Sequence, residues 1–205
     1  MRRVAVLISG SGSNLQALLD AAAAPDFPAK IVCVVSNRPG VRGLERAAAA
    51  GVPAQVIDHK AYDGRAPFED ALHEALSDAG AEVVCLAGFM RVLTAGFVQR
   101  WPGRILNIHP SLLPSFKGLH VHRQALEAGV RVSGCTVHVV TPDLDDGPII
   151  GQTAVPVLPG DTEDTLAART LRAEHRLYPA ALRTFLSGQA DPCDPDAHLL
   201  CVSTT

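Results

Sequence analysis

Short apolar runs alternate with alanine- and leucine-rich stretches along the first half of the chain. The apolar runs fall at residues 4–9, 30–36, 54–57, 82–87 and 104–107. The stretches between them, 14–24, 41–50, 66–79 and 94–100, have helical composition and spacing. That order predicts a parallel sheet with helices on both faces. The runs are apolar almost throughout rather than every second residue, as expected of strands covered on both sides.

The pattern changes beyond residue 110. Residues 120–127 read as a helix, and two β-rich runs follow at 135–140 and 152–157. A long amphipathic helix is predicted to start near Asp161-Thr162-Glu163-Asp164, a good helix-start signal, and to run towards Phe185. Residues 189–205 hold prolines and small polar groups and read as a loosely held tail. No internal repeat or low-complexity linker interrupts the chain.

With 205 residues, 47% of them hydrophobic, the chain can bury a full core in one domain. The net charge of −3 comes from interspersed signs without a basic stripe, which argues against a nucleic-acid partner. The apolar run after Met1-Arg2-Arg3 ends at Ser9-Gly10, too soon for a signal peptide, and no stretch is long enough to predict a membrane span. Five cysteines, Cys33, Cys85, Cys135, Cys193 and Cys201, show no C-x-x-C spacing, and three lie in apolar runs. A reduced, cytoplasmic compartment fits this usage.

Four segments hold candidate chemistry. Asn107-Ile108-His109-Pro110-Ser111-Leu112-Leu113-Pro114 puts an amide, an imidazole and a hydroxyl after a buried strand, where open α/β sheets build their sites. Asn107 can donate to a developing oxyanion and His109 can exchange a proton near neutral pH; the bland alternative is a capped loop with an incidental histidine. Ser9-Gly10-Ser11-Gly12-Ser13-Asn14 leaves the first strand and opens a helix, a setting that suits a phosphate. A dinucleotide fingerprint would need glycine where Leu15 stands, and a plain tight turn with Asn14 as the cap is the alternative. Asp143-Leu144-Asp145-Asp146-Gly147-Pro148 is a turn with free carboxylates; one of them against His109 would favour the charged ring and orient it. Gly88-Phe89-Met90-Arg91-Val92-Leu93 suits either a flat aromatic ligand or core packing. His120 and His122 diverge at i, i+2 on a helix, so a metal site there is not predicted.

Taken together and in this order, these segments, with Gly118-Leu119-His120 and Ala173-Glu174-His175, resemble the phosphoribosylglycinamide formyltransferases, a folate-dependent family of purine synthesis. The resemblance spans about residues 4–188. It implies an α/β, doubly wound, mostly parallel Rossmann-like sheet with antiparallel additions in the C-terminal half. It also implies one domain over 1–188, with 1–105 holding phosphate and nucleotide and 106–188 holding the catalytic groups and folate, followed by the 189–205 tail.

Matched residue by residue, the resemblance implies a catalytic trio of Asn107, His109 and Asp145. It implies glycinamide ribonucleotide binding by Gly12, Ser13, Asn14, Arg65, Asn107 and Glu174, with Glu174 near the substrate amine. The folate pocket would use Met90, Arg91, Val92, Leu93, Thr141, Asp143, Leu144 and Asp145, while Asp146 is given no role. The co-substrate would be 10-formyltetrahydrofolate, without a metal. The partners would be these small molecules, not nucleic acid or membrane, and a homodimer is left open. The rival readings are another folate-dependent formyltransferase or hydrolase and a non-catalytic nucleotide-binding module. A methionyl-tRNA enzyme is expected to need a further C-terminal domain, and a hydrolase an N-terminal one. A nucleotide-binding module would not need Asn107, His109 and Asp145 together.

Overall fold

The computed structural model describes residues 1–188 and 200–201. The chain divides into two compact units, residues 1–107 and 108–205.

In the first unit, β1 (Arg2–Ile8), β2 (Ala29–Ser36), β3 (Ala54–Val56), β4 (Val83–Leu86) and the start of β5 (Ile105–His109) form a parallel sheet in the order β3-β2-β1-β4-β5. The helices are α1 (Ser13–Ala22), α2 (Arg42–Ala49), α3 (Arg65–Asp78) and α4 (Ala95–Arg100). Val4 to Ile8 on β1 are fully buried, which is why that strand reads as an unbroken apolar run. The chain builds outwards from β1 to β3, then returns to lay β4 on the other side of β1. The strand order therefore reverses between β1 and β4, the position at which open α/β sheets bind ligands.

The second unit contains α5 (Val121–Glu127), the antiparallel pair β6 (Val132–Val139) and β7 (Ile149–Pro156), α6 (Glu163–Leu186) and the two-residue strand β8 (Leu200–Cys201), parallel to β7. Helix α6 starts where its sequence signal predicts. Thr162 and Thr165 bond each other's backbone amides in a capping box, and Glu163 and Asp164 occupy the first turn. The fold is thus the expected doubly wound, mostly parallel sheet with antiparallel additions in the C-terminal half. The expected loose tail falls mainly on residues outside those described.

The boundaries that bear on the site and its neighbours differ from the sequence expectation in β5, β6 and β7. β5 continues through His109, so His109 lies on the strand rather than in the loop after it. β6 and β7 each begin three residues earlier than their apolar runs, at Val132 and Ile149. Glycine and serine break the apolar pattern there, yet Gly134 is required by close pairing: a Cβ on it would lie 2.1 Å from the Thr153 carbonyl oxygen.

Candidate functional site

Register places three segments on one edge of the first unit. Leu7 on β1 pairs with Leu86 on β4, and Leu86 pairs with Asn107 on β5. The loop after Ile8, the loop after Leu86 and the Asn107 side chain therefore sit at the C-terminal ends of three adjacent parallel strands.

The first loop is shaped by α2. Gly43 N donates to Gly10 O (3.1 Å) and Arg46 Nε donates to Ser11 O (2.9 Å). Gly12, at φ +68°, precedes α1 as its cap, and no side chain bonds the first-turn amides from that position. Asn14 is therefore not the helix cap; it lies buried inside the first turn. The loop's carbonyls are held by α2 while the N-terminus of a ten-residue helix has no side-chain cap, an arrangement that suits an anion. The two glycines differ in kind. A Cβ on Gly12 would lie 2.6 Å from Gly43 Cα, whereas one on Gly10 would meet nothing within 4 Å. Arg65, the first residue of α3, is exposed.

In the second loop Met90 and Val92 are exposed and Leu93 is buried. Ser9 and Asn37 are also buried there; the Ser9 hydroxyl donates to Asn37 Oδ1 (2.5 Å) and accepts from Met90 N (2.7 Å).

Asn107 and His109 are two residues apart on β5, so their side chains leave the same face. In the second unit His109 is 5% exposed, and its Nε2 donates to Phe116 O (2.9 Å). Its Nδ1 faces Asp145 Oδ2 at 3.5 Å. Because a carbonyl can only accept, only the ring protonated on both nitrogens donates in both directions.

The Phe116 carbonyl sits in a loop anchored to the β-pair. Ser111 Oγ donates to Ser115 O (2.6 Å). Thr136 Oγ1 donates to Ser111 O (2.7 Å) and accepts from Leu113 N (3.0 Å) and Gln152 Nε2 (3.0 Å), which uses its full capacity.

Asp145 is held in the left-handed region at φ +51°, a conformation that aspartate tolerates better than most residues. Its Oδ2 also accepts from Gly118 N (2.9 Å) and its Oδ1 lies 3.8 Å from His138 Nε2. A Cβ on Gly147 would lie 1.7 Å from Val139 O, so this turn admits only glycine at that position. Asp146, its neighbour, is more than half exposed and pairs with Lys117. Thr141 Oγ1 donates to Asp143 O (3.3 Å), and Leu144 is exposed. Burial holds the His138 pKa below its ordinary value, with His109 acting in the same sense and the Val139 carbonyl and Asp145 against it. His138 Nδ1 donates to Val139 O (3.0 Å).

Glu174 is buried on α6. Burial and then the Glu174 charge push the Cys135 thiol far up, and burial pushes the Cys33 thiol up to about 11, so neither is a nucleophile near neutral pH. Among the described residues, no cluster of three or more His, Cys, Asp or Glu is arranged to hold a metal ion, and no helix is long and apolar enough to cross a membrane.

His138 and Thr136 were not foreseen from the sequence, and Ser9 only as part of the turn after the first strand. The first two alternate on β6, two residues apart and hence on one face; that spacing inside an apolar run was the available signal.

A family model described as formyl transferase matches residues 2–182. The chain belongs to this family. It is 46% identical over 186 residues to the phosphoribosylglycinamide formyltransferase of Escherichia coli K12, covering 91% of this chain and 88% of that protein. It is 56% identical over 186 residues to the trifunctional purine biosynthetic protein adenosine-3 of Bos taurus, spanning 91% of this chain but 18% of that protein's length. Among solved structures, glycinamide ribonucleotide transformylase 1 from Symbiobacterium toebii superposes with a TM-score of 0.90 at 53% identity, covering 92% of this chain and 89% of that one.

Proposed function

We propose that the chain transfers the formyl group of 10-formyltetrahydrofolate to the amine of glycinamide ribonucleotide. Membership of the formyl transferase family supports the reaction class. Near-full-length similarity to glycinamide ribonucleotide enzymes supports the acceptor. The observation that carries the reading is the His109 ring held between the Phe116 carbonyl and the Asp145 carboxylate, two residues after Asn107 on one strand face.

The substrate amine attacks the formyl carbon, and the carbonyl oxygen gains negative charge. The Asn107 amide and a protonated His109 stabilise that oxyanion. Asp145 orients the His109 ring, and either Asp145 or a water relays the proton from the attacking nitrogen to the departing folate nitrogen. The C–N bond to folate breaks, a C–N bond to the acceptor forms, and tetrahydrofolate leaves. The step involves no metal and no covalent enzyme intermediate. Gly12, Ser13 and Asn14 hold the acceptor phosphate on the α1 amides, Arg65 and Glu174 contact the acceptor, and 90–93 with Thr141, Asp143 and Leu144 receive the folate. The setting is cytoplasmic, and a homodimer is the assembly to test for.

Following tetrahydrofolate release with and without glycinamide ribonucleotide tests the proposal. Release that requires the acceptor is the expected result. Release without it identifies a hydrolase, and no release in either case leaves a binding module.

A further inference from the structure

Residues 88–93 link β4 to the cap of α4, and among the described residues none of them makes a backbone–backbone hydrogen bond. Their conformation is set instead by buried side chains from elsewhere in the first unit. At the start, the Ser9 hydroxyl accepts from Met90 N (2.7 Å) while donating to Asn37 Oδ1 (2.5 Å), which fixes the hydroxyl from both sides. At the end, Glu69 Oε1 accepts from Thr94 N (2.8 Å) and Glu69 Oε2 accepts from the Thr94 hydroxyl. Between these points Met90 is 68% and Val92 55% exposed.

Glu69 is the telling residue. It is 5% exposed, on the face of α3 that also buries Phe68, Leu72 and Leu76. An apolar residue would fill that position as core, and a carboxylate there is tolerated only because its oxygens are hydrogen-bonded. Core packing alone therefore does not call for glutamate; the Thr94 backbone and hydroxyl do. Ser9 follows the same logic: its hydroxyl is buried where β1 ends, yet its partners are the start of this segment and Asn37.

We infer that Ser9 and Glu69 are positioning residues that pin the two ends of the 90–94 segment, so that its exposed apolar side chains and free backbone groups are presented to the folate co-substrate in one fixed conformation. Neither residue touches the reacting atoms. The inference rests on the proposed assignment of 90–93 to folate.

Ser9→Ala, Glu69→Gln and Glu69→Ala in the full chain test it by two measurements. The first is amide exchange of the peptide spanning 88–94. The second is tetrahydrofolate affinity by calorimetry, with kcat and KM for both substrates. Exchange should quicken about tenfold or more in Ser9→Ala and Glu69→Ala. Tetrahydrofolate affinity and the folate KM should weaken by roughly tenfold, the scale of one lost hydrogen bond to a charged or buried partner, with kcat at saturation within about threefold. Glu69→Gln keeps an acceptor for Thr94 N and should recover most of the loss. A merely structural role would lower stability without that split or that recovery. Unchanged exchange overturns the inference, as does quickened exchange with unchanged folate affinity. If the wild-type chain binds no tetrahydrofolate, the underlying folate assignment fails with it; if the wild type binds and the variants bind equally well, the pinning inference alone fails. Should Glu69→Ala not fold, Ser9→Ala and Glu69→Gln decide the question.

Discussion

Gly10 and Gly12 stand two residues apart in the same loop, and the structure separates their roles. Gly12 is at φ +68°, and a Cβ there would lie 2.6 Å from Gly43 Cα, a backbone atom of α2. Gly12→Ala should lose about 1–2 kcal/mol for holding alanine in the left-handed region. Moving α2 to relieve the overlap adds about 1–3 kcal/mol. The sum, about 2–5 kcal/mol, is a large part of a typical domain's stability. At Gly10 the φ is not positive and a Cβ would meet nothing within 4 Å, so Gly10→Ala should leave stability unchanged or raise it by about 0.4–1 kcal/mol. If a phosphate approaches this backbone, the same methyl group obstructs it, and the loss of one charge-assisted hydrogen bond weakens binding by roughly tenfold to a hundredfold. Urea denaturation and calorimetric titration with glycinamide ribonucleotide separate the two effects. The expected result is Gly12→Ala destabilised, and Gly10→Ala stable but weak in binding the ribonucleotide. Wild-type affinity in Gly10→Ala would refute the placing of phosphate against this loop. Wild-type stability in Gly12→Ala would refute the argument from α2.

Asn107→Ala and His109→Ala should each lower kcat by at least about a hundredfold with little change in melting temperature, as checked by steady-state kinetics and thermal unfolding. Asp145→Asn should lower kcat by a similar factor, roughly a hundredfold, whereas Asp146→Asn, which removes only a surface pair, should stay within about threefold in the same assay. Thr136→Val leaves Leu113 N and Gln152 Nε2 without their shared acceptor and should destabilise by about 1–3 kcal/mol in urea unfolding while slowing turnover through the His109 loop. The Arg169 guanidinium, with Leu158 N and Thr165, holds the Asp161 carboxyl well below its usual 3.8. A depressed carboxyl pKa gives stability that is present above the unfolded value and lost as pH falls through the folded one. The melting-temperature gap between wild type and Asp161→Asn should therefore be full above about pH 4 and close progressively below it.

The strands and helices were legible because burial dictates them. β1 reads as an apolar run since both of its faces are covered, and α6 announces its start through Thr162, Glu163 and Asp164. The boundaries of β5, β6 and β7 were less legible because a histidine, a serine or a glycine interrupts the apolar pattern within each extension. His109 and Gly134 belong to strands for reasons of close approach and site geometry that a hydrophobic pattern does not encode. Of the candidate site, the pairing of His109 with an acid of the 143–146 turn was foreseeable, since a histidine and a carboxylate-rich turn are both conspicuous. The His138 ring on the other side of Asp145 was not, because a histidine inside a β-rich run looks like a half-buried strand residue until the register is known.

The two neighbouring acids of that turn show how geometry settles what residue type leaves open. Asp145 and Asp146 carry the same group, and a charge-based reading assigns either one to His109. The turn forces a choice. Gly147 packs on Val139 so closely that no Cβ fits there, and two residues earlier Asp145 takes φ +51°. Its carboxylate is then turned inwards to Gly118 N, His109 and His138, while Asp146 is turned outwards to Lys117. An inward carboxylate in low-dielectric surroundings acts strongly on its neighbours, and an outward one is screened by water.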